Sequence, residues 1–174
     1  MSIQPRLRGS RCAFILVLLA GCLVSPPAAT GQVVSTASGK LSQFSATTAE
    51  GDVVKEDTGF TVMPDIPTSF TMKSPGPVVV SFCADCGVNT GLSAFGQLLL
   101  RATIDGSALD PQPWVAWTSN GDSDNGLLRA ACFKWLAANE VSGDHEVNIE
   151  WAMNASGGGV ATCTRRSLFV QWER

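Results

Sequence analysis

The side chains of this 174-residue chain with the most chemistry available to them are its cysteines and its one histidine. Cys12 and Cys22 fall near the start; Cys83, Cys86, Cys132 and Cys163 fall in the body of the chain. An even set in an oxidising compartment is most simply two disulfides, with three connectivities that sequence cannot separate. Cys83-Ala84-Asp85-Cys86 is also a C-x-x-C. With the two distant cysteines it could make a four-thiolate zinc site, and alone a redox pair. Zinc sites normally space both pairs closely, whereas Cys132 and Cys163 stand 31 residues apart. A redox motif opens a helix in a βαβ setting, whereas this one follows the strand-like Pro77 to Phe82 and runs into the turn-rich Gly87-Val88-Asn89-Thr90-Gly91. Structural disulfides are therefore expected.

His145 is the single candidate base for nucleophilic catalysis. Its neighbours Asp144 and Glu146 point to opposite faces of a strand from it, and no Gly-x-Ser-x-Gly elbow is present, so a structural histidine is expected. Glu146 and Glu150 share the outer side of one strand about 13 Å apart, which does not make a facing pair of glycosidase carboxylates. Asn120, Asp122 and Asp124 alternate oxygen donors as calcium loops do. The sixth position from Asn120 is Asn125 rather than Gly, and the twelfth is Ala131 rather than Glu, so a polar turn is the plainer reading and calcium the one cofactor suggested. Trp114 and Trp117 are the candidate ligand-binding side chains. If Pro113 to Thr118 is extended they sit on opposite faces, one in the core and one beside the acidic loop, where an aromatic face can stack on a sugar. Packing in the core is the competing reading.

The elements that position these residues begin after a targeting segment. Arg6, Arg8 and Arg11 precede the apolar run Ala13 to Ala20, and no acid occurs before Glu50, which is the plan of a secretory signal. The run is shorter than the roughly 20 residues of a membrane-spanning helix, and Pro26-Pro27 ends it. Cleavage beside the small residues Ala28-Ala29-Thr30-Gly31 makes residues 1–31 the signal. Leu19-Ala20-Gly21-Cys22 instead resembles the lipobox of bacterial lipoproteins, which implies a signal of residues 1–21 and a lipidated Cys22; Leu23 after it, where Asp would favour inner-membrane retention in enteric bacteria, leaves outer-membrane delivery open. Residues 23–39, small, polar and Pro/Gly-punctuated, read as a linker or tether, and residues 40–174 as one domain. Removing residues 1–31 takes three arginines and leaves 9 Lys plus Arg against 15 Asp plus Glu, a charge of −6. Nucleic-acid binding relies on cations at the phosphates and is not expected. A membrane enters only through the lipid anchor.

Within residues 40–174 the dominant period is two. His145, Val147, Ile149, Trp151 and Met153 form one face of a strand that should point into the core. Further strands are expected over Gly59–Met63, Thr68–Lys73, Pro77–Cys83, Phe95–Ile104, Trp114–Thr118, Leu127–Leu136 and Ser167–Trp172. Turn chemistry such as Ser74-Pro75-Gly76, Asp105-Gly106 and Ser142-Gly143-Asp144 separates them. Leu127 to Asn139 tolerates a helix, yet Cys132-Phe133-Lys134-Trp135 alternates as a strand does. The expected fold is all-β, an antiparallel β-sandwich of jelly-roll type.

Four segments carry a resemblance across about residues 60–172: Ala102-Thr103-Ile104-Asp105-Gly106, Phe133-Lys134-Trp135, Gly143 to Val147 and Arg166 to Val170. In succession they resemble secreted bacterial jelly-roll domains of unassigned function, which implies the fold and no activity. The resulting expectation is a secreted or envelope-anchored, non-enzymatic binding module that recognises a surface glycan or protein. A structural, oligomer-forming envelope protein is the alternative, and the missing constellations count against a hydrolase or redox enzyme.

Overall fold

Alternating sequences of this kind give strands because successive side chains point to opposite faces, and a half-buried sheet sorts them into apolar inward and polar outward. The computed structural model describes residues 30–31, 42–90, 95–119, 126–156 and 158–173, and every regular element among them is a strand. In chain order these are β1 Thr30–Gly31, β2 Ser42–Ala49, β3 Val53–Lys55, β4 Thr61–Val62, β5 Thr68–Met72 and β6 Gly76–Asn89. They continue with β7 Gly96–Ile104, β8 Ser107–Ala108, β9 Trp114–Ser119, β10 Arg129–Glu140, β11 Gly143–Ala155 and β12 Val160–Glu173.

Two antiparallel sheets result. Sheet A runs β2-β12-β6-β10, with β1 on the far edge of β2 and β3 beside β12 beyond the end of β2. Sheet B runs β5-β11-β7-β9, extended by β4 beside β11 and by β8 beside β7. Taken in chain order, the eight main strands visit the sheets as A, B, A, B, B, A, B, A. This is the path of an eight-stranded jelly roll, as the sequence led us to expect. Among the described residues no helix is long and apolar enough to cross a membrane.

The core lies between the sheets. His145, Val147, Ile149, Trp151 and Met153 of β11 are all buried, and Val78, Val80, Phe82, Ala84, Cys86 and Val88 of β6 face them from sheet A. Burying side chains of this size stabilises the fold by about 1.5–3 kcal/mol each. Segment 127–139, which tolerated a helix, is strand β10, with Trp135 and Ala137 inward and Lys134 and Leu136 outward.

Several elements differ from expectation. β6 does not stop at Cys83 but continues through the C-x-x-C to Asn89, and β12 begins at Val160 rather than near Ser167. Strands β2 and β3 had no counterpart in the sequence reading. Thr30–Gly31, at the junction of the expected signal and tether, pairs with Ala46 and Thr47 of β2.

A bulge in β12 sends a charge inward. The register against β6 shifts between Thr164 and Arg166, with Arg165 at φ 22°, so Arg166 takes the inward phase and is buried. Its Nη1 donates to the carbonyls of Gly51 (2.7 Å) and Cys163 (3.0 Å), while Nε and Nη2 have no partner. Burial lowers its pKa, opposed by the nearby charges of Asp65 and Asp52. The guanidinium thereby ties the β2–β3 turn to the β12 bulge.

Candidate functional site

The four cysteines of the domain form two cross-strand disulfides. Residues three apart in a strand point to opposite faces, so Cys83 and Cys86 cannot pair with each other within β6. Cys83 points outward and bonds Cys132, its direct opposite on β10; Cys86 points inward and bonds Cys163, its direct opposite on β12. In both pairs the Cα atoms lie 4.1 Å apart. The inner bond is fully buried, whereas Cys132 is exposed and Cys83 partly so. The C-x-x-C is thus a branching point that staples three strands of sheet A, and its thiols are unavailable for zinc or redox pairing. Among the described residues no group of three or more His, Cys, Asp or Glu is placed to hold a metal ion.

His145 sits buried at the start of β11, its ring stacked on Phe70 with centroids 5.2 Å apart. Nδ1 lies 2.8 Å from Asp105 Oδ2 and Nε2 lies 2.8 Å from the Val141 carbonyl, so both ring nitrogens face acceptors. Burial works against the charged form, but Asp105 and the Val141 carbonyl outweigh it and raise the pKa above the ordinary 6.5. Asp105 is held below its ordinary 3.8 by the Glu146 amide, which donates to Oδ1 at 2.8 Å, and by His145, against a smaller opposing effect of burial. The imidazolium therefore locks the β7–β8 and β10–β11 turns together. Asp144 and Glu146 do not orient the ring. The partner is Asp105, whose Asp-Gly turn was legible but whose bond across 40 residues was not.

Trp117 is 7% exposed and faces the core, its Nε1 donating to the Arg129 carbonyl at 2.9 Å and its ring meeting Phe133 edge-on. Trp114 pairs through its backbone with Leu100, and the register shift between the Leu98 and Leu99 pairs interrupts the alternation on which opposite faces were expected. The side chain of Trp114, the loop residues Asn120, Asp122 and Asp124, and Cys22 lie outside the described residues.

Beside Trp117 a recess of about 240 Å³ opens between β9 and the first residues of β10. Small residues, Gly87, Ala116, Ala130 and Ala131, keep it open, while Leu127 and Arg129 stand at its side. Gly87 is required there, since a Cβ would come within 2.6 Å of the Leu127 carbonyl oxygen. Trp117 shapes the recess from within and offers no open ring face. A second recess, about 290 Å³, lies at the other end of the sandwich over the buried rings of Phe70 and Trp172, rimmed by Gln43, Ser69, Thr71, Lys73 and Asp144.

The two outward sheet faces differ in chemistry. On sheet B, Arg101 pairs with Glu150 (Nε to Oε2 2.6 Å) and caps the Phe60 ring at 4.3 Å; Thr71 donates to Asp144 (2.7 Å) and Asn154 to Gln97 (3.2 Å). On sheet A, three successive outward rows read Thr48-Ser167-Cys83-Cys132, Ala46-Phe169-Ser81-Lys134 and Phe44-Gln171-Val79-Leu136 across β2, β12, β6 and β10. One of those positions, Lys134, is charged.

These features define the class of the molecule: an eight-stranded jelly-roll domain with one disulfide-stapled sheet. No protein-family model matches the chain, and no curated protein sequence does. Solved structures give weak resemblances among β-sandwich proteins. Dimeric latent PorU from Porphyromonas gingivalis is similar over 83% of this chain and 14% of that one, at 13% identity and TM-score 0.40. Infectious bursal disease virus Gx strain is similar over 84% of this chain and 42% of that one, at 14% identity and TM-score 0.34. The CBM35 from Cellvibrio japonicus Abf62 is similar over 71% of this chain and 92% of that one, at 10% identity and TM-score 0.31. Likeness at this level carries nothing about ligand or partner.

Proposed function

We propose that this domain is a non-catalytic recognition module of an exported protein, which takes one group of a surface glycan or protein into the recess beside Trp117. The observation that carries the reading is the recess itself. Its volume falls below the roughly 300–1,000 Å³ of sites for drug-sized ligands, which suits a single sugar ring or one amino-acid side chain. Its small-residue lining admits such a group without rearrangement, and the indole held by the Arg129 carbonyl gives it a fixed wall.

Absence of catalysis belongs to the same proposal. It is supported by a histidine with both nitrogens engaged and by four cysteines committed to disulfides. Two disulfides suit an oxidising compartment, in line with the export that the first residues suggest. No cofactor is needed for recognition of this kind.

The test is titration of the ¹⁵N-labelled domain with soluble fragments of envelope polysaccharides and, separately, with surface-protein ectodomains. Binding should move the Trp117 indole N–H signal and should be lost in Ala130→Phe, which fills the recess. Binding that leaves Trp117 unmoved and survives Ala130→Phe would place recognition elsewhere, and no binding to either class would end the reading.

A further inference from the structure

An antiparallel sheet with one face on the core normally turns a polar face to water. Sheet B follows that rule and sheet A does not. Phe169 is 43% exposed and Leu136 is 54% exposed, with Val79, Phe44 and Ala46 half-buried around them. We propose that this outer face of sheet A is a contact surface between two copies of this chain, which meet there as a reversible dimer.

Charge selects the occupant. The chain beyond residue 31 carries a formal −6, and two such molecules repel each other over most of their surfaces. The three outward rows of sheet A themselves contain no acid and one lysine; Asp110, bridged to Leu136, stands at their edge and Asp85 beyond Cys83 is paired to Arg165, so over the rows themselves the copies can approach without juxtaposing carboxylates. A strongly charged partner would find almost nothing to pair with on this face. Thr30–Gly31 takes the free edge of β2.

Area sets the strength. Strands about 4.8 Å apart and a two-residue repeat of about 6.8 Å give these rows roughly 400 Å² per copy. Stable complexes bury about 800 Å² per partner. The dimer is therefore concentration-dependent rather than obligate. Because Phe169 and Leu136 are exposed, replacing them tests the contact without opening the core.

The experiment is sedimentation velocity on the exported, disulfide-bonded protein across a wide concentration range. Expected are a monomer–dimer equilibrium, a dissociation constant weakened at least about tenfold by Phe169→Lys and by Leu136→Lys, and no change in Gln97→Lys on the outer face of sheet B. Thermal melts at low concentration confirm that each variant folds. Two outcomes overturn the proposal. One is a monomer at every concentration, including one whose face is protected from hydrogen exchange by residues 32–41. The other is a dimer indifferent to both lysines. The recess beside Trp117 is tested by other variants, so either reading can fail alone.

Discussion

Sheets A and B pack on one core but are held across their strands by different chemistry. In sheet A the strongest cross-strand links are covalent: Cys83–Cys132 ties β6 to β10, and Cys86–Cys163 ties β6 to β12, with the ion pair Arg165–Asp85 also between β12 and β6. In sheet B they are polar and charge-assisted, from Asp105–His145 at one end through Arg101–Glu150 to Gln97–Asn154. Sheet A should therefore answer chiefly to reductant and sheet B chiefly to pH and salt. The exposed apolar side chains Phe169 and Leu136 lie on the outer face of sheet A.

Breaking the staples should have the largest effect. The two bonds close loops of 49 and 77 residues, and the chain-entropy account gives about 4 kcal/mol for each with a difference of only about 0.4 kcal/mol. Loop length hardly separates them, so burial decides. Replacing Cys86 and Cys163 by Ala should cost about 4 kcal/mol or more in urea unfolding, because it also leaves a void in the core. Replacing Cys83 and Cys132 should cost less, since their sulfurs leave no buried gap. Limited reduction followed by alkylation should label Cys132 before Cys163. Equal costs and simultaneous labelling would show that the position of a disulfide in or out of the core makes no difference here.

That contrast also marks what the sequence could convey. The alternation from His145 to Met153 specified a core strand, because its period reports local geometry. Four cysteines specified two bonds but not their partners, since pairing depends on which strands flank β6, a property of the whole topology. Gly87 suggested a turn after the C-x-x-C, yet it continues the strand and lets the Leu127 backbone approach closely. The sequence alternation of β12 starts only near Ser167 because Arg165 and Arg166 break it; the bulge restores the phase while burying a guanidinium. Trp117 was legible as an aromatic in a strand. The recess beside it was not, because its lining comes from β6, β9 and β10, far apart in sequence.

Next in size is the pH response of sheet B. His145 has a folded pKa above 6.5, so its contribution is present in full below 6.5 and is lost as pH rises through the folded value. Asp105 has a folded pKa below 3.8, so its contribution is present above 3.8 and is lost as pH falls through that depressed value. The pair thus supports the fold most between these two ordinary values, by about 1 kcal/mol given that Asp105 is half exposed. Melting temperatures across pH should show His145→Gln flattening the neutral-to-alkaline decline and Asp105→Asn flattening both limbs. An unchanged alkaline limb in His145→Gln would mean that the imidazolium lock contributes nothing, and the Cys83/Cys132 variant should keep the full pH profile.

The smallest effect belongs to Arg101. Its pair with Glu150 is partly exposed, and such pairs contribute about 0.2–1 kcal/mol, with about 0.5 kcal/mol from the guanidinium over the Phe60 ring. Arg101→Ala should therefore lower stability by about 1 kcal/mol at low ionic strength. Salt at about 1 M shortens the Debye length to about 3 Å and should shrink that gap, while leaving the cost of losing a disulfide unchanged. Comparing the two variants at low and high salt separates charge from packing. A gap for Arg101→Ala that ignores salt would assign the link to its aliphatic stem and the Phe60 contact, and sheet B would then resemble sheet A in resting on packing more than on charge.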